Sequence, residues 1–530
     1  MALDTKADTT NFDIARDFQL SDANLVAENR KRFVPSPAAI ERCTDAHNRL
    51  RRTIAERRHV YGLTTGFGPL ANRLIDPQDG QRLQQNLVHH LATGQGPSFD
   101  WATARAIVVA RYISILQGVS GASPRTMAAL QALLDSPFAP EIPERGTVGA
   151  SGDLTPLAHM VLAFQGRGTF IDRDGTQFDG MDALATMDLP PLDLADRDGL
   201  ALVNGTSAMT GIAVRNARIA ERLVDWSLRL TGALAEVLGG RTEAWSPIFA
   251  ELRPHPGQLR ATAGLNTAVA GSNRLRQGHI ASRQLDFSDF GAEPEIGQDA
   301  YTLRCAPQVI GGVIDVLYWH KDVAERELNA VTDNPIFPDA GEALAVHGGN
   351  FMGQHIALAS DALATSIVVL AGLAERQIAR LTDERLSPEL PAFLHGGTAG
   401  LTSGFMGAQV TATALLGEMR SLGPASPHSI STNGANQDVV SMGTIAARHA
   451  ARQSRDAAHI LAILALGVSQ AIDICCADGA EDDFSPAAMD LVGPVRALSP
   501  RLTEDRPLAV DIAKMAAHIL ESDPPVPTNA

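Results

Sequence analysis

Cysteine is scarce: 530 residues hold only Cys43, Cys305, Cys475 and Cys476, and no two of them form a C-x-x-C pair. That number and spacing exclude a disulfide framework and a zinc ribbon, and suit a reducing compartment. Positive charge is also short, with 44 Lys and Arg against 60 Asp and Glu, so the formal charge is 44 − 60 = −16. No basic stripe is left to displace counterions from phosphates, which argues against a nucleic-acid partner. The N-terminal MALDTKADTTNFDIARDF is polar with early acids, unlike a secretory signal. The most apolar run, His459 to Ala471, is short for a membrane span and is broken by Ser469 and Gln470. A cytoplasmic protein with no membrane attachment is the expectation. The chain also has no Gly-x-Gly-x-x-Gly fingerprint, no phosphate loop ending in Gly-Lys-Ser/Thr and no His-Glu-x-x-His. His89-His90, His347 and His355 lack a matching carboxylate set, so neither a metal nor a nucleotide is expected.

What remains is ordinary globular material, 45% hydrophobic and 20% charged, which excludes wholesale disorder. Proline is missing from Leu192 to Ser246, Gly257 to Glu293, Gln308 to Asn334 and His428 to Ser485. These stretches carry apolar residues at helical spacing, and without proline their helices can run long. Gly434 and Gly467 are the places where the last stretch could break into shorter helices. Helices of this length predict a mainly α fold built on a long helical bundle. A smaller α-rich N-terminal region, 1–200, carries glycine-rich turns at Gly62, Gly66, Gly68 and at Gly146, Gly149, Gly152, and the bundle with its C-terminal helices takes 201–530. One hairpin is predicted at GTFIDRDGTQF, turning at Asp174-Gly175.

The informative segment is RGTVGASGDLTPLAHM, Arg145 to Met160, with Thr155-Pro156 opening an apolar helix. Its glycine-rich loop lies at a helix N-terminus, where peptide dipoles favour negative charge. A hydrolase nucleophile elbow needs Gly-x-Ser-x-Gly, and Asp153 follows Gly152 instead. A phosphate loop fails for want of Gly-Lys-Ser/Thr. A plain structural turn remains open, and so does covalent self-modification. In Ala150-Ser151-Gly152 the Gly152 nitrogen can attack the Ala150 carbonyl, and loss of two waters then leaves a methylidene-imidazolone. Small flanking residues permit that compressed geometry. Val119-Ser120-Gly121 is a near match, but its first residue is branched.

GTVGASGDLTPLAHM resembles the signature of the ammonia-lyase family that includes histidine, phenylalanine and tyrosine ammonia-lyases and the related aminomutases. The resemblance runs from about Val60 to Ala480 through YGLTTGFG (Tyr61 to Gly68), NLVHHL (Asn86 to Leu91), LVNGTSAM (Leu202 to Met209), QDAYTLRCAPQ (Gln298 to Gln308), NAVTDNP (Asn329 to Pro335), GGNFMGQ (Gly348 to Gln354) and NQDVVSMG (Asn436 to Gly443). It implies that Ala150, Ser151 and Gly152 become the electrophile and that Tyr61, in a glycine-rich lid loop, removes the β-proton. A free phenol is a weak acid, so the loop would have to stabilise its anion. Asn204 and Tyr301 would hydrogen-bond the electrophile or the departing amine, and Arg304 would clamp the substrate carboxylate. Asn334 and Phe351 would orient that carboxylate and line the pocket, while Gln298, Gln437 and Gly68 match further family site positions. Family members are homotetramers whose active sites draw residues from more than one chain, and the same is implied here.

The family diverges at the substrate's far end. Tyrosine lyases resemble this chain in His90-Leu91, where phenylalanine lyases typically carry Phe-Leu and histidine lyases Ser-His. An imidazole can hydrogen-bond a buried phenol, whereas a carbocycle would leave the hydroxyl unpaired at about 1–3 kcal/mol. Gln437 stands where histidine lyases carry Glu, and Asn433 where phenylalanine lyases usually do. The resemblance therefore implies elimination of ammonia from L-tyrosine to trans-p-coumarate, with slower turnover of L-phenylalanine to trans-cinnamate. The alternatives are a phenylalanine or histidine ammonia-lyase, a tyrosine 2,3-aminomutase using the same electrophile, or an inactive helical scaffold.

Overall fold

The computed structural model describes residues 8–13, 15–280, 298–339 and 345–525. The mainly α class holds. The chain forms two compact units, one of Met1–Arg218, His320–Asp361 and Pro424–His449, the other of Ile219–Trp319, Ala362–Gly423 and Ala450–Ala530. Both are discontinuous, where the sequence suggested contiguous regions 1–200 and 201–530. The physical reason is helix length. Ser207–Val237, Ala306–Leu328, Gln354–Leu381 and Gly443–Cys475 each give one part to the first unit and the remainder to the second. Apolar periodicity reports that a helix continues, not which core each part enters.

The second unit is built on those helices. Leu223, Trp226, Leu230 and Leu234 recur every three or four residues, as do Ile367, Leu370, Ala374 and Ile378, and all are buried in one apolar core. Ala457, Ile460, Leu461, Leu464, Ala465 and Val468 join it, and Gly467 does not interrupt their helix. The Gln354–Leu381 helix lies outside the stretches singled out above, although it too falls in a proline-free run, Asp339 to Ser387. Of the Gly257–Glu293 stretch, Pro256–Ala268 is helical, and positions 281–293 lie outside the described residues. The apolar run at His459 sits in the Gly443–Cys475 helix, within a stretch where a long helix was expected. By length and composition Gly443–Cys475 and Gln354–Leu381 could each cross a bilayer, but 78% and 61% of their most apolar windows are buried within the protein, as in core helices.

The first unit surrounds the Trp101–Leu116 helix, capped by Asp100 accepting from the Thr103 N–H at 2.9 Å and buried along nearly all its length. Two of its buried residues are arginines. Arg105 donates to the carbonyls of Leu133 and Leu134, at the end of the Pro124–Leu134 helix, and of Ser136 and Phe138 just beyond it. Burial pushes its pKa down to about 10. Among the described residues three small sheets complete the unit. Thr9–Phe12 pairs in parallel with Arg32–Pro35, and Gln95–Ser98 runs antiparallel to Pro143–Arg145. Thr169–Ile171 and Gln177–Asp179 form the expected hairpin beside Ala139–Pro140. Gly175 takes φ +80° in its turn, and Asp172 Oδ1 accepts from the N–H groups of Asp174 and Thr176. The Pro143–Arg145 strand leads straight into the glycine-rich loop, and the Leu154–Phe164 helix leaves it.

Candidate active site

The loop between them is strained. Gly149, Ser151 and Gly152 have φ of +78°, +53° and +74°, a region that side chains rarely adopt. Gly152 bridges to Gly205 in parallel, and a Cβ on Gly152 would stand 2.0 Å from the Gly205 oxygen. The Asp153 N–H donates to that oxygen at 2.7 Å, and Thr147 Oγ1 donates to the Gly152 carbonyl at 3.1 Å. A branched or bulky residue at position 152 could not occupy this turn. The backbone therefore fits the cyclisation expected of Ala150, Ser151 and Gly152: a tight turn, no Cβ at its third residue, and clamps on both sides.

Ser151 opens onto a cavity of about 670 Å³, within the usual range of small-molecule sites. Tyr61, Gly68, His90, Leu91, Ala150, Asn204, Asn334, Phe351, Asn433 and Gln437 line it with Ser151. The first unit thus gathers most of the residues that the sequence nominated, from segments almost 400 positions apart.

Each polar group has a visible support. Tyr61 is held at both ends: its backbone N–H donates to His347 Nε2 at 3.2 Å, and its phenol oxygen accepts from the Gly68 N–H at 2.9 Å. Gly68 takes φ +51° with nothing near its missing Cβ, so conformation rather than crowding calls for glycine there. Gln84, fully buried, ties this loop down by donating to the Gly62 carbonyl and accepting from the Leu200 N–H. His90 sits in the last turn of the Gly80–Leu91 helix with Nδ1 2.9 Å from the Asn86 carbonyl. A carbonyl only accepts, so Nδ1 carries the proton and Nε2 of the neutral ring is an acceptor. Gln437 Nε2 lies 3.4 Å from Ser151 Oγ, and its carbonyl accepts from Asn433 Nδ2 at 2.6 Å. A tight turn with φ of +49° at Asn433 and +60° at Ala435 brings these two together.

Behind the asparagines lies a buried ion pair that sequence reading did not find. Arg197 grips both oxygens of Asp333 at 2.7 and 2.8 Å, with both side chains wholly inaccessible. Asp333 Oδ1 accepts from Asn204 Nδ2 at 3.1 Å, and Arg197 also donates to the Asn334 carbonyl. Arg111, equally buried, donates to the Asn204 carbonyl at 2.5 Å. Burial raises the pKa of Asp333, but the charge and hydrogen bonds of Arg197, the charge of Arg111 and the Asn334 N–H together outweigh it and hold the carboxyl below its usual range. One carboxylate between two guanidiniums leaves net positive potential beside the pocket. Asp333 was inside the quoted NAVTDNP block, but nothing in spacing alone pairs it with Arg197. Asp153 was overlooked too. It accepts from the Met209 N–H at 2.7 Å and from the Thr444 hydroxyl, and burial pushes its pKa up to about 7.

Gln298, Tyr301 and Arg304 are not among the residues lining this cavity. They belong to the second unit and line a different one with Arg241, Asp299 and Cys305. There Arg304 stacks 4.8 Å from the centre of the Tyr301 ring and donates to Gln298 Oε1. Tyr301 is 68% exposed, unusual for a large ring with a site role. Among the described residues no cluster of three or more His, Cys, Asp or Glu could hold a metal.

This arrangement, a self-strained Ala-Ser-Gly turn facing a tyrosine-bearing loop on a helical scaffold, is that of a lyase acting on amino acids, and the chain belongs to the aromatic amino acid lyase family, whose model matches residues 18–497. The chain is 60% identical over 512 residues to a tyrosine ammonia-lyase of Cereibacter sphaeroides, covering 97% of this chain and 98% of that one. It is 41% identical over 467 residues to a tyrosine 2,3-aminomutase of Streptomyces globisporus that depends on the methylidene-imidazolone, covering 86% and 85%. A crystal structure of a tyrosine aminomutase from the same species superposes with a TM-score of 0.90 at 36% identity, over 97% of both chains.

Proposed function

We propose that this protein eliminates ammonia from L-tyrosine to give trans-p-coumarate, with secondary turnover of L-phenylalanine to trans-cinnamate. The observation that carries the reading is the convergence of Tyr61, His90 and the strained Ala150-Ser151-Gly152 turn on one cavity. It is supported by the 60% identity to a tyrosine ammonia-lyase. Formed from the tripeptide, a methylidene-imidazolone supplies an electrophilic carbon that turns the substrate's amino group into a competent leaving group. Tyr61 takes the β-proton on its phenol oxygen, and the Gly68 N–H aimed at that oxygen offers a partner to the charge of its anion. His90 Nε2 accepts the substrate's phenol O–H at the far end of the pocket. Asn204 and Asn334, fixed by Asp333 and Arg197, line the side from which positive potential draws the carboxylate.

Arg304, Tyr301 and Gln298 complete the site from a second copy of the chain, in a homotetramer. Two features support this: they line another cavity than that of Ser151, and Tyr301 is largely exposed. A protein of this kind works in the cytoplasm. A second reading, a tyrosine aminomutase, is favoured by the 0.90 TM-score with the Streptomyces globisporus enzyme. Product analysis after incubation with L-tyrosine separates the two. A conjugated arylacrylate and free ammonia support the lyase, a β-amino acid supports the mutase, and no reaction on any aromatic amino acid would sink both.

A further inference from the structure

Two bonds fix Tyr61, and one comes from a residue that the reaction does not use. The Tyr61 backbone N–H donates to His347 Nε2 at 3.2 Å. A backbone N–H can only donate, so Nε2 holds a lone pair and the neutral ring carries its proton on Nδ1. His347 is itself anchored on either side. Val346 exchanges two backbone bonds with Ile336, at 3.0 and 2.9 Å, and the Gly348 N–H donates to Asn334 Oδ1 at 2.7 Å. Asn334 in turn is gripped by Arg197 at its carbonyl and by Asp333 at its N–H. An unbroken run of hydrogen bonds therefore leads from the buried ion pair, through the strap at 346–348, to the main chain of Tyr61. Immediately after it, Gly62 takes φ +69°, so the loop depends on supports of this kind to hold one conformation.

We infer that His347 is a positioning residue: its neutral imidazole anchors the main chain at Tyr61 and so sets the direction from which the phenol oxygen enters the pocket. The inference rests on the reading of Tyr61 as the group that takes the β-proton. The groups facing the imidazole fit this role. Partial burial pushes the pKa of His347 down, and His59 from the segment before Tyr61 and Arg197 from behind the pocket push it the same way. The acceptor form is thus kept above that lowered pKa and lost as pH falls through it, when an Nε2–H would confront the Tyr61 N–H.

The test is steady-state turnover of L-tyrosine by His347→Ala, His347→Gln and Tyr61→Phe, each across pH and each checked by intact mass for loss of two waters. Loss of one hydrogen bond predicts a fall in kcat of roughly 10-fold for His347→Ala, with KM changed by less than about 3-fold. The glutamine carbonyl can accept the same N–H, so His347→Gln should recover most of that rate and lack the wild-type decline at acid pH. Wild-type kcat in His347→Ala overturns the inference. So does His347→Gln as slow as the alanine variant with the acid decline intact. The two readings fail differently: a fully active Tyr61→Phe removes the base and the inference together, whereas an inactive Tyr61→Phe beside a fully active His347→Ala removes only the anchor.

Discussion

Replacing His90 by Phe tests the substrate choice at one atom. In the wild type the Asn86 carbonyl occupies Nδ1 at 2.9 Å, which commits Nε2 to accepting. The phenol of tyrosine supplies the matching donor, whereas phenylalanine supplies nothing and needs nothing. In His90→Phe the hydroxyl enters the pocket without a partner, a penalty of about 1–3 kcal/mol, or roughly 5- to 150-fold in kcat/KM. Phenylalanine escapes that penalty, so the tyrosine-to-phenylalanine ratio should fall by the same factor. Direction can be tested as well as size. 4-Aminophenylalanine keeps an N–H donor at the para position, while 4-fluorophenylalanine offers no donor at similar bulk. The wild type should favour the former, and His90→Phe should lose that preference. The assay follows ultraviolet absorbance of each arylacrylate over a range of substrate concentrations. A His90→Phe enzyme that keeps the wild-type ratio for tyrosine over phenylalanine would refute the selectivity argument.

Three further outcomes are expected. Ser151→Ala should abolish turnover while circular dichroism and thermal unfolding stay close to wild type, and its mass should lack the loss of two waters; substantial residual activity would remove the electrophile from the mechanism. Asp153, whose burial raises its pKa from 3.8 to about 7, favours the folded state when protonated, so its contribution to stability is lost as pH rises between those values. Asp153→Asn cannot ionise, and its melting temperature should gain on the wild type across that window; a constant difference would contradict the buried acid. Mixed oligomers of two inactive variants, Ser151→Ala and Arg304→Ala, should regain activity on co-expression, because some sites then combine an intact Ser151 with an intact Arg304 from another copy. Complementation that never exceeds background would mean that one chain supplies both residues.

The fold class was legible because helix length leaves two coarse marks, missing proline and apolar periodicity, and both survive in Gly443–Cys475 and Ser207–Val237. The helix at Gln354–Leu381 carries the same mark, since no proline occurs from Asp339 to Ser387, yet that stretch was not among those singled out. The pocket residues were legible only through whole motif blocks. Neither Asn204 nor Asn334 carries a local signal, and what makes them a site is Asp333 and Arg197, 136 positions apart, meeting with both charges inaccessible. His347 drew notice only as a histidine without a metal motif, and a ring nitrogen serving a backbone N–H leaves no trace in spacing. Gln84 is similar: a buried amide bridging Gly62 and Leu200 looks, in sequence, like any polar residue on a helix.

These misses share a cause. Long helices specify themselves through many weak, repeated contacts, so their pattern is redundant and readable. The chemistry sits in the opposite kind of structure. Ser151, Asn433 and Ala435 lie at positive φ outside the helices, where local preference opposes the conformation adopted. Such positions persist only if single, specific bonds from elsewhere hold them, as Gly205 holds the segment after Ser151 and His347 holds the loop of Tyr61. Removing one core leucine would therefore erode stability across a unit, whereas removing one of these tethers would leave the helices intact and misdirect a reacting atom. Such tethers are recognised by what they hold rather than by what they are.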